Sequence, residues 1–180
     1  MYFLKPQKIL AAAFFAVVTL ASGAALATDQ LDISVGLKTL PLLNNKLSGS
    51  AVMAVVYDPA DAQSKAEADA IVSAVGAGID APGGVKVTAT LVSTAELAKL
   101  SQAKLAFVTG GLKGALDQVA AAAASNGVLT MSTDLDCVKA NKCVLGIVSK
   151  PSVDIYYSKT AADNAKIGFA PAFAMLVKQV

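Results

Sequence analysis

Residues 50–57 read Ser-Ala-Val-Met-Ala-Val-Val-Tyr and are closed by Asp58-Pro59. An uncharged, valine-rich run without polar alternation is the pattern of a strand buried on both faces, and such strands belong to mostly parallel sheets covered by helices. Downstream, residues 61–75 place Ala62, Ala66, Ala70, Ile71 and Ala74 at helical spacing, with Asp61 positioned to cap the start and Gly76 and Gly78 to end it. Residues 85–92 form the next strand, entered through Pro82-Gly83-Gly84 and alternating Val85, Val87, Ala89 and Leu91. Thr94 and Glu96 open a short helix to about Leu100. Lys104-Leu105-Ala106-Phe107-Val108 is a third buried strand, followed by Thr109-Gly110-Gly111 and a helix over 112–125. Asn126-Gly127 turns the chain into a strand at 128–131.

The ends of the chain complete the pattern. Residues 31–47 carry Leu31, Val35, Leu40, Leu43 and Leu47, which predicts one helix or two short helical pieces broken at Pro41. Residues 144–148 and 153–157 read as an antiparallel pair joined at Ser149-Lys150-Pro151, and a helix over 160–177, interrupted near Pro171, ends the chain. Strand–helix–strand alternation of this kind predicts the α/β class. The expectation is a single domain over residues 28–180, with a mostly parallel sheet, helices on both faces and a C-terminal antiparallel strand pair as its edge.

Residues 1–27 carry a different message. Lys5 and Lys8 form a basic start, residues 9–20 are uncharged, and Ala25-Leu26-Ala27 fits the A-x-A cleavage rule. The competing reading is a membrane anchor. However, the apolar run is shorter than the roughly 20 residues a bilayer span needs, and a cleavage site rather than a basic stop follows it. Residues 1–27 are therefore predicted to be a cleaved signal peptide, with Thr28-Asp29-Gln30 as the new N-terminus.

The 13 acidic residues all follow residue 27, whereas Lys5 and Lys8 precede it, so positive and negative charges balance in the remainder. The chain has no His, no Arg and no Trp. Catalysis by Ser-His-Asp or Cys-His is thereby excluded, as are imidazole metal sites and bidentate guanidinium clamps. Neither a basic stripe nor a set of stacking aromatics is present to hold nucleic acid. No metal and no cofactor is expected, and no catalytic constellation stands out. Cys137 and Cys143 are the two cysteines, and in an oxidising compartment they predict a local disulfide. A metal reading lacks further ligands, and redox pairs have the tighter C-x-x-C spacing.

Taken together, the early helix, the valine-rich strand ending at Tyr57-Asp58-Pro59, the third strand at 104–108 and the C-terminal third resemble the YfiR family. That third comprises Gly127-Val128-Leu129-Thr130-Met131-Ser132, a short polar loop holding Cys137 and Cys143, a strand pair and a terminal segment with Ala161-Ala162 and residues 172–176. The resemblance implies a periplasmic, non-enzymatic regulator. Its implied partner is an inner-membrane signalling protein with a periplasmic domain, such as a diguanylate cyclase or sensor kinase.

Several positions carry candidate chemistry. Thr109-Gly110-Gly111-Leu112-Lys113-Gly114 follows a strand and opens a predicted helix, where backbone N–H groups favour an anion, although the Walker spacing fails. The alternative is a glycine turn that packs helix on sheet. Asp58, Thr109 and Ser132-Thr133-Asp134 fall at predicted carboxyl ends of strands, where open α/β sheets bind ligands. Polar residues also occur there without ligands. Ser101 and Lys104 match S-x-x-K, but the other motifs of penicillin-recognising enzymes are absent. Tyr156 and Tyr157 end the last strand. Alternation predicts one ring in the core and one at the surface, either as a partner anchor or as simple packing. The expected function is a periplasmic regulator set by a small ligand or its disulfide. The alternative is a solute-binding component of an ABC-type transporter, reduced to one lobe, for which a homodimer with a shared cleft would speak.

Overall fold

The described chain, residues 28–112 and 114–180 of a computed structural model, begins on a capped helix. The predicted leader and Lys113 lie outside the described residues. Asp29 caps α1 (Gln30–Leu37): its carboxylate accepts the Leu31 and Asp32 N–H groups at 2.8 and 3.1 Å, and Asp32 reciprocates on the Asp29 N–H at 2.9 Å. Pro41 breaks the helical path into a 3-10 turn at Leu40–Leu42.

The central strand is β1 (Gly49–Tyr57). Its alternate residues enter opposite cores. Met53 and Val55 pack beneath α1 and α2 (Ala62–Val75), with Ile33, Leu37, Ala68, Ile71 and Val75. Ala54 and Val56 face the opposite layer, built from the 3-10 segment Thr94–Gln102, α3 (Leu116–Asn126) and α4 (Leu135–Lys139). Both faces of the strand are buried, which is why the sequence there is apolar without alternation.

β2 (Ile79–Ala81), β3 (Val85–Ser93), β4 (Leu105–Val108), β5 (Leu129–Ser132), β6 (Leu145–Val148), β7 (Asp154–Tyr157) and β8 (Lys178–Gln179) complete one eight-stranded sheet. The order is β2-β3-β1-β4-β5-β6-β7-β8. Strands β3, β1, β4, β5 and β6 run parallel, with Met53 beside both Ala89 and Leu105, Leu105 beside Leu129, and Met131 beside Leu145. β6 and β7 pair antiparallel, with Gly146 opposite Tyr156. The chain steps from β1 to β3 on one side, then returns past β1 to β4 on the other. The strand order therefore reverses between β1 and β4, and the crevice above that point is where such sheets receive ligands. Among the described residues, no helix is long and apolar enough to cross a membrane.

Four elements depart from expectation. β2 pairs antiparallel with β3 across the Pro82-Gly83-Gly84 turn, a hairpin too short for periodicity to reveal. The segment holding the cysteines contains α4, started by the Asp134 carboxylate on the Asp136 N–H at 3.0 Å. α3 begins at Leu116 rather than Leu112. The predicted helix over 160–177 is mostly not helical: α5 (Lys159–Asn164) stops, Lys166 adopts φ 56°, and Pro171 opens a 3-10 turn at Pro171–Met175 before β8. Proline cannot donate the N–H a continuing helix needs, and Phe169 and Phe173 are pulled inward onto Tyr157 instead.

Candidate functional site

A cleft of about 760 Å³ lies over the carboxyl ends of β4, β5 and β6. Three loops, helix α2 and the start of α1 build it. The loop after β4 supplies Gly110, the loop after β5 supplies Thr133 and Asp134, and the loop after β6 supplies Ser149 and Lys150. Helix α2 contributes Gln63 and Glu67, and the chain entering α1 contributes Thr28, Asp29 and Asp32.

Glu67 organises the floor. It is buried, at 9% exposure, and one carboxylate oxygen accepts the Gly110 N–H at 2.9 Å. The other accepts the Thr28 hydroxyl and, at 3.4 Å, the Thr133 hydroxyl, while Thr28 and Thr133 share a hydrogen bond of 2.8 Å. These donors satisfy carboxylate oxygens that burial has taken out of water. The backbone group that the glycine-rich loop turns outward is thus occupied by a carboxylate of the chain itself. A Cβ on Gly110 would stand 3.5 Å from that same carboxylate, and one on Gly111, at φ 82°, 3.1 Å from Asp61. The first is ordinary contact; it is Gly111, by its positive φ and its closeness to Asp61, that lets the β4 loop lie against the start of α2.

The residues singled out from sequence divide into two groups. Gly110, Thr133 and Asp134 line the cleft. Asp58, Thr109, Gly111 and Ser132 do not line it: Asp58, Thr109 and Ser132 make hydrogen bonds within the fold, and Gly111 is an exposed turn residue. The Thr109 hydroxyl meets Ser64 Oγ at 2.7 Å and donates to the Val56 carbonyl at 3.0 Å. Ser132 Oγ donates to the Val108 carbonyl at 2.6 Å and accepts the Asp134 N–H at 3.0 Å. The Asp58 carboxylate turns onto the Ala60 N–H. Sequence reasoning missed Thr28, Asp29, Asp32, Gln63, Glu67 and Lys150. The readable signal was the polar pair Ser64 and Glu67, which continues the spacing of Ala68, Ile71 and Val75 on the buried face of α2.

At the rim, Lys150 pairs with Asp29. The Lys150 ammonium, with the Asp32 N–H behind it, holds the Asp29 carboxyl below the usual carboxylate range. Asp29 thereby contributes stability above its unfolded pKa of about 3.9, and that contribution disappears as pH falls through the lower folded value. The pair is solvent-exposed, so Lys150→Ala is expected to lower stability only slightly. Denaturation curves of the two proteins should converge as pH falls through the lowered Asp29 value.

The Tyr156 and Tyr157 rings are both half-buried, on opposite faces. Tyr157 meets Phe169 and Phe173 edge-on at 5.7 and 5.1 Å, and Tyr156 packs on the α3–α4 side with the Lys178 ammonium 5.7 Å from its ring. β8 covers the outer side of β7, so neither ring stands free on an edge.

Cys137, on α4, and Cys143, just before β6, form the disulfide with Cα atoms 5.3 Å apart, and both are fully buried. The Lys142 and Cys143 N–H groups both donate to the Cys137 carbonyl. The bridge fixes the helix whose first residue follows Asp134. The double variant Cys137→Ala/Cys143→Ala is expected to lose roughly 2–2.5 kcal/mol on the chain-entropy estimate for so short a loop, read by urea denaturation.

The fold defines the class: an open, doubly wound α/β sheet with a cleft at the carboxyl ends of its parallel strands. No family model and no curated protein matches the chain. Among the solved structures similar to it are two at 13% identity. One is a conserved domain protein from Vibrio cholerae, at TM-score 0.58 and 13% identity, covering 83% of this chain and 59% of that one. The other is the ABC domain in complex with L-Trp from Streptococcus pneumoniae, at TM-score 0.57 and 13% identity, covering 84% and 60%. At this identity the likeness is one of fold. The chain spans about 60% of the length of both.

Proposed function

We propose that this chain is an exported domain that binds a small polar solute in the cleft above β4, β5 and β6. The observation that supports the reading is the cleft's position at the carboxyl ends of the parallel strands beside the switch point, with Asp29, Asp32, Asp134 and Lys150 on its walls. Carboxylates opposite one ammonium suit an amine or an amino-acid-like zwitterion. The similar ABC domain carries an amino acid, L-Trp, which points to the same class. The chain would act as a single lobe, either alone or against a second copy.

The test is a thermal-shift series on the exported protein with L-Trp, L-Lys, L-Ala and putrescine. A ligand at a hundred times its Kd is expected to raise Tm by about 5 °C or more. Gln63→Trp, at an exposed position on the cleft wall, should abolish that rise while leaving the unliganded Tm unchanged. Absence of a shift with every zwitterion and amine at millimolar concentration would sink the proposal.

A second reading is the YfiR-like regulator that contacts an inner-membrane signalling protein. It is favoured by an apolar groove of about 360 Å³ away from the cleft, bounded by the exposed Leu31, Val153 and Leu176. Pull-down from detergent-solubilised inner membranes with wild type and Leu176→Asp tests it. A cyclase or kinase recovered with wild type alone supports it, and recovery of neither removes it.

A further inference from the structure

Thr28 is the residue that the Ala25-Leu26-Ala27 rule makes the first of the processed chain, and it stands on the floor of the cleft. Its hydroxyl is held on both sides, by Glu67 from α2 and by Thr133 from the loop after β5. The Thr28 nitrogen is separated from that hydroxyl only by Cα and Cβ, so it is confined to the same few ångströms. In the precursor this nitrogen is a neutral amide joined to Ala27. After cleavage it is an ammonium.

We infer that removal of the leader creates a buried charge pair, in which the new α-ammonium of Thr28 pairs with the Glu67 carboxylate and completes the cleft floor. Hydrolysis of the Ala27–Thr28 peptide bond consumes one water, leaving a carboxylate on Ala27 and the amine on Thr28, which takes up a proton. The groups around the amine favour that proton. Asp29 and Asp32 come from α1, Glu67 from α2 and Asp134 from the turn before α4, against Lys150 from the loop after β6. The Lys150 charge is already engaged by Asp29. Processing therefore changes one atom of the site: the Thr28 nitrogen turns from a neutral amide into the second cation of an acidic cleft. The precursor would hold the folded domain with its site unfinished.

The inference rests on the leader reading and on no particular ligand. The first measurement is the intact mass of the exported protein, which is expected to begin at Thr28; any other N-terminus overturns the inference. The second is the pKa of the α-amine, followed by NMR after reductive methylation with 13C-formaldehyde. An ordinary α-amine titrates at about 7.7–8.0; this one is expected to titrate above that range, and Glu67→Gln is expected to bring it back down. The third compares the exported protein with a variant carrying Gly-Ser inserted between Ala27 and Thr28. The raised pKa makes the pair stabilising below about pH 8, with the benefit lost as pH rises through the folded value. The insertion should therefore lower Tm by about 3 °C at pH 6, and the difference should shrink towards pH 10. An α-amine with an ordinary pKa in a protein that does begin at Thr28 overturns the pair while leaving leader cleavage intact. A Tm difference that does not change with pH has the same consequence.

Discussion

Phe173→Ala is expected to cost about 3–5 kcal/mol of unfolding free energy, the largest loss among single substitutions in the C-terminal quarter. Phe173 is buried, at 3% exposure, stacked on Phe169 with centroids 3.8 Å apart and edge-on to Tyr157 at 5.1 Å. The three rings bring together β7, the coil after α5 and the 3-10 turn at Pro171. Backbone ties surround the rings: the Ala170 N–H donates to the Leu42 carbonyl at 2.7 Å, β8 contributes two paired positions, and the Val180 N–H reaches the Tyr157 carbonyl at 3.0 Å. Removing the Phe173 ring leaves a cavity beside Tyr157 and Phe169, which already touch each other and so can close it only by moving the backbone. Urea denaturation reads the global loss. Amide exchange reads the local one, with the Val180 N–H losing protection ahead of β1. Phe173→Leu should retain more than half of the stability. If Phe173→Ala melts like wild type, the aromatic trio does not anchor the C-terminus.

Glu67→Ala is expected to cost about 3 kcal/mol and to open the cleft floor. The change removes an acceptor from the Gly110 N–H and from the hydroxyls of Thr28 and Thr133. A buried donor left unpaired costs about 1–3 kcal/mol. The hydroxyls can rotate towards each other, so the amide of Gly110 bears most of the loss. Glu67→Gln keeps one acceptor for Gly110 and should recover over half of the lost stability. Glu67→Leu, apolar and of similar size, should resemble Ala, because the donors and not the volume decide the outcome. Equal stabilities for wild type and Glu67→Ala in equilibrium denaturation would show that Glu67 is a passenger on α2.

The parallel strands were legible because each carries two buried faces, and a continuous apolar run as short as residues 104–108, closed by Thr109-Gly110-Gly111, suits a central strand far better than a helix. The cleft was legible in part. Gly110, Thr133 and Asp134 could be placed because strand ends follow from strand positions. Glu67 could not, because α2 is alanine-rich and alanine fits either side of a helix. The face read through Ala62, Ala66, Ala70, Ile71 and Ala74 places Ile71 inward as found, yet the buried side is otherwise Ser64, Glu67, Ala68 and Val75. Two polar residues on the inner stripe mark it as facing polar loops beyond the sheet. The contributions of Thr28 and Lys150 depend on contacts across 39 to 121 positions of sequence, which no local period reports. The C-terminus misled for a related reason. Small apolar residues around Pro171 have helical spacing, but their placement is set by the aromatic contact with Tyr157.

The two-residue β8 and the three-residue β2 bear on how this protein behaves in a crowd. An open sheet has two borders, each a row of N–H and C=O groups ready to pair with another chain. Here the inner strands β3 and β7 could template such pairing, and each is shielded by a strand too short to extend the ladder far. Lys178 adds a charge on one border, where it also pairs with Asp154 at 2.8 Å. Removing residues 178–180 would bare β7 at Tyr156 and Tyr157, the two positions that β8 covers. For a chain so rich in alanine and valine, these few terminal residues work as a guard against self-association in a way that their small share of the packing does not reveal.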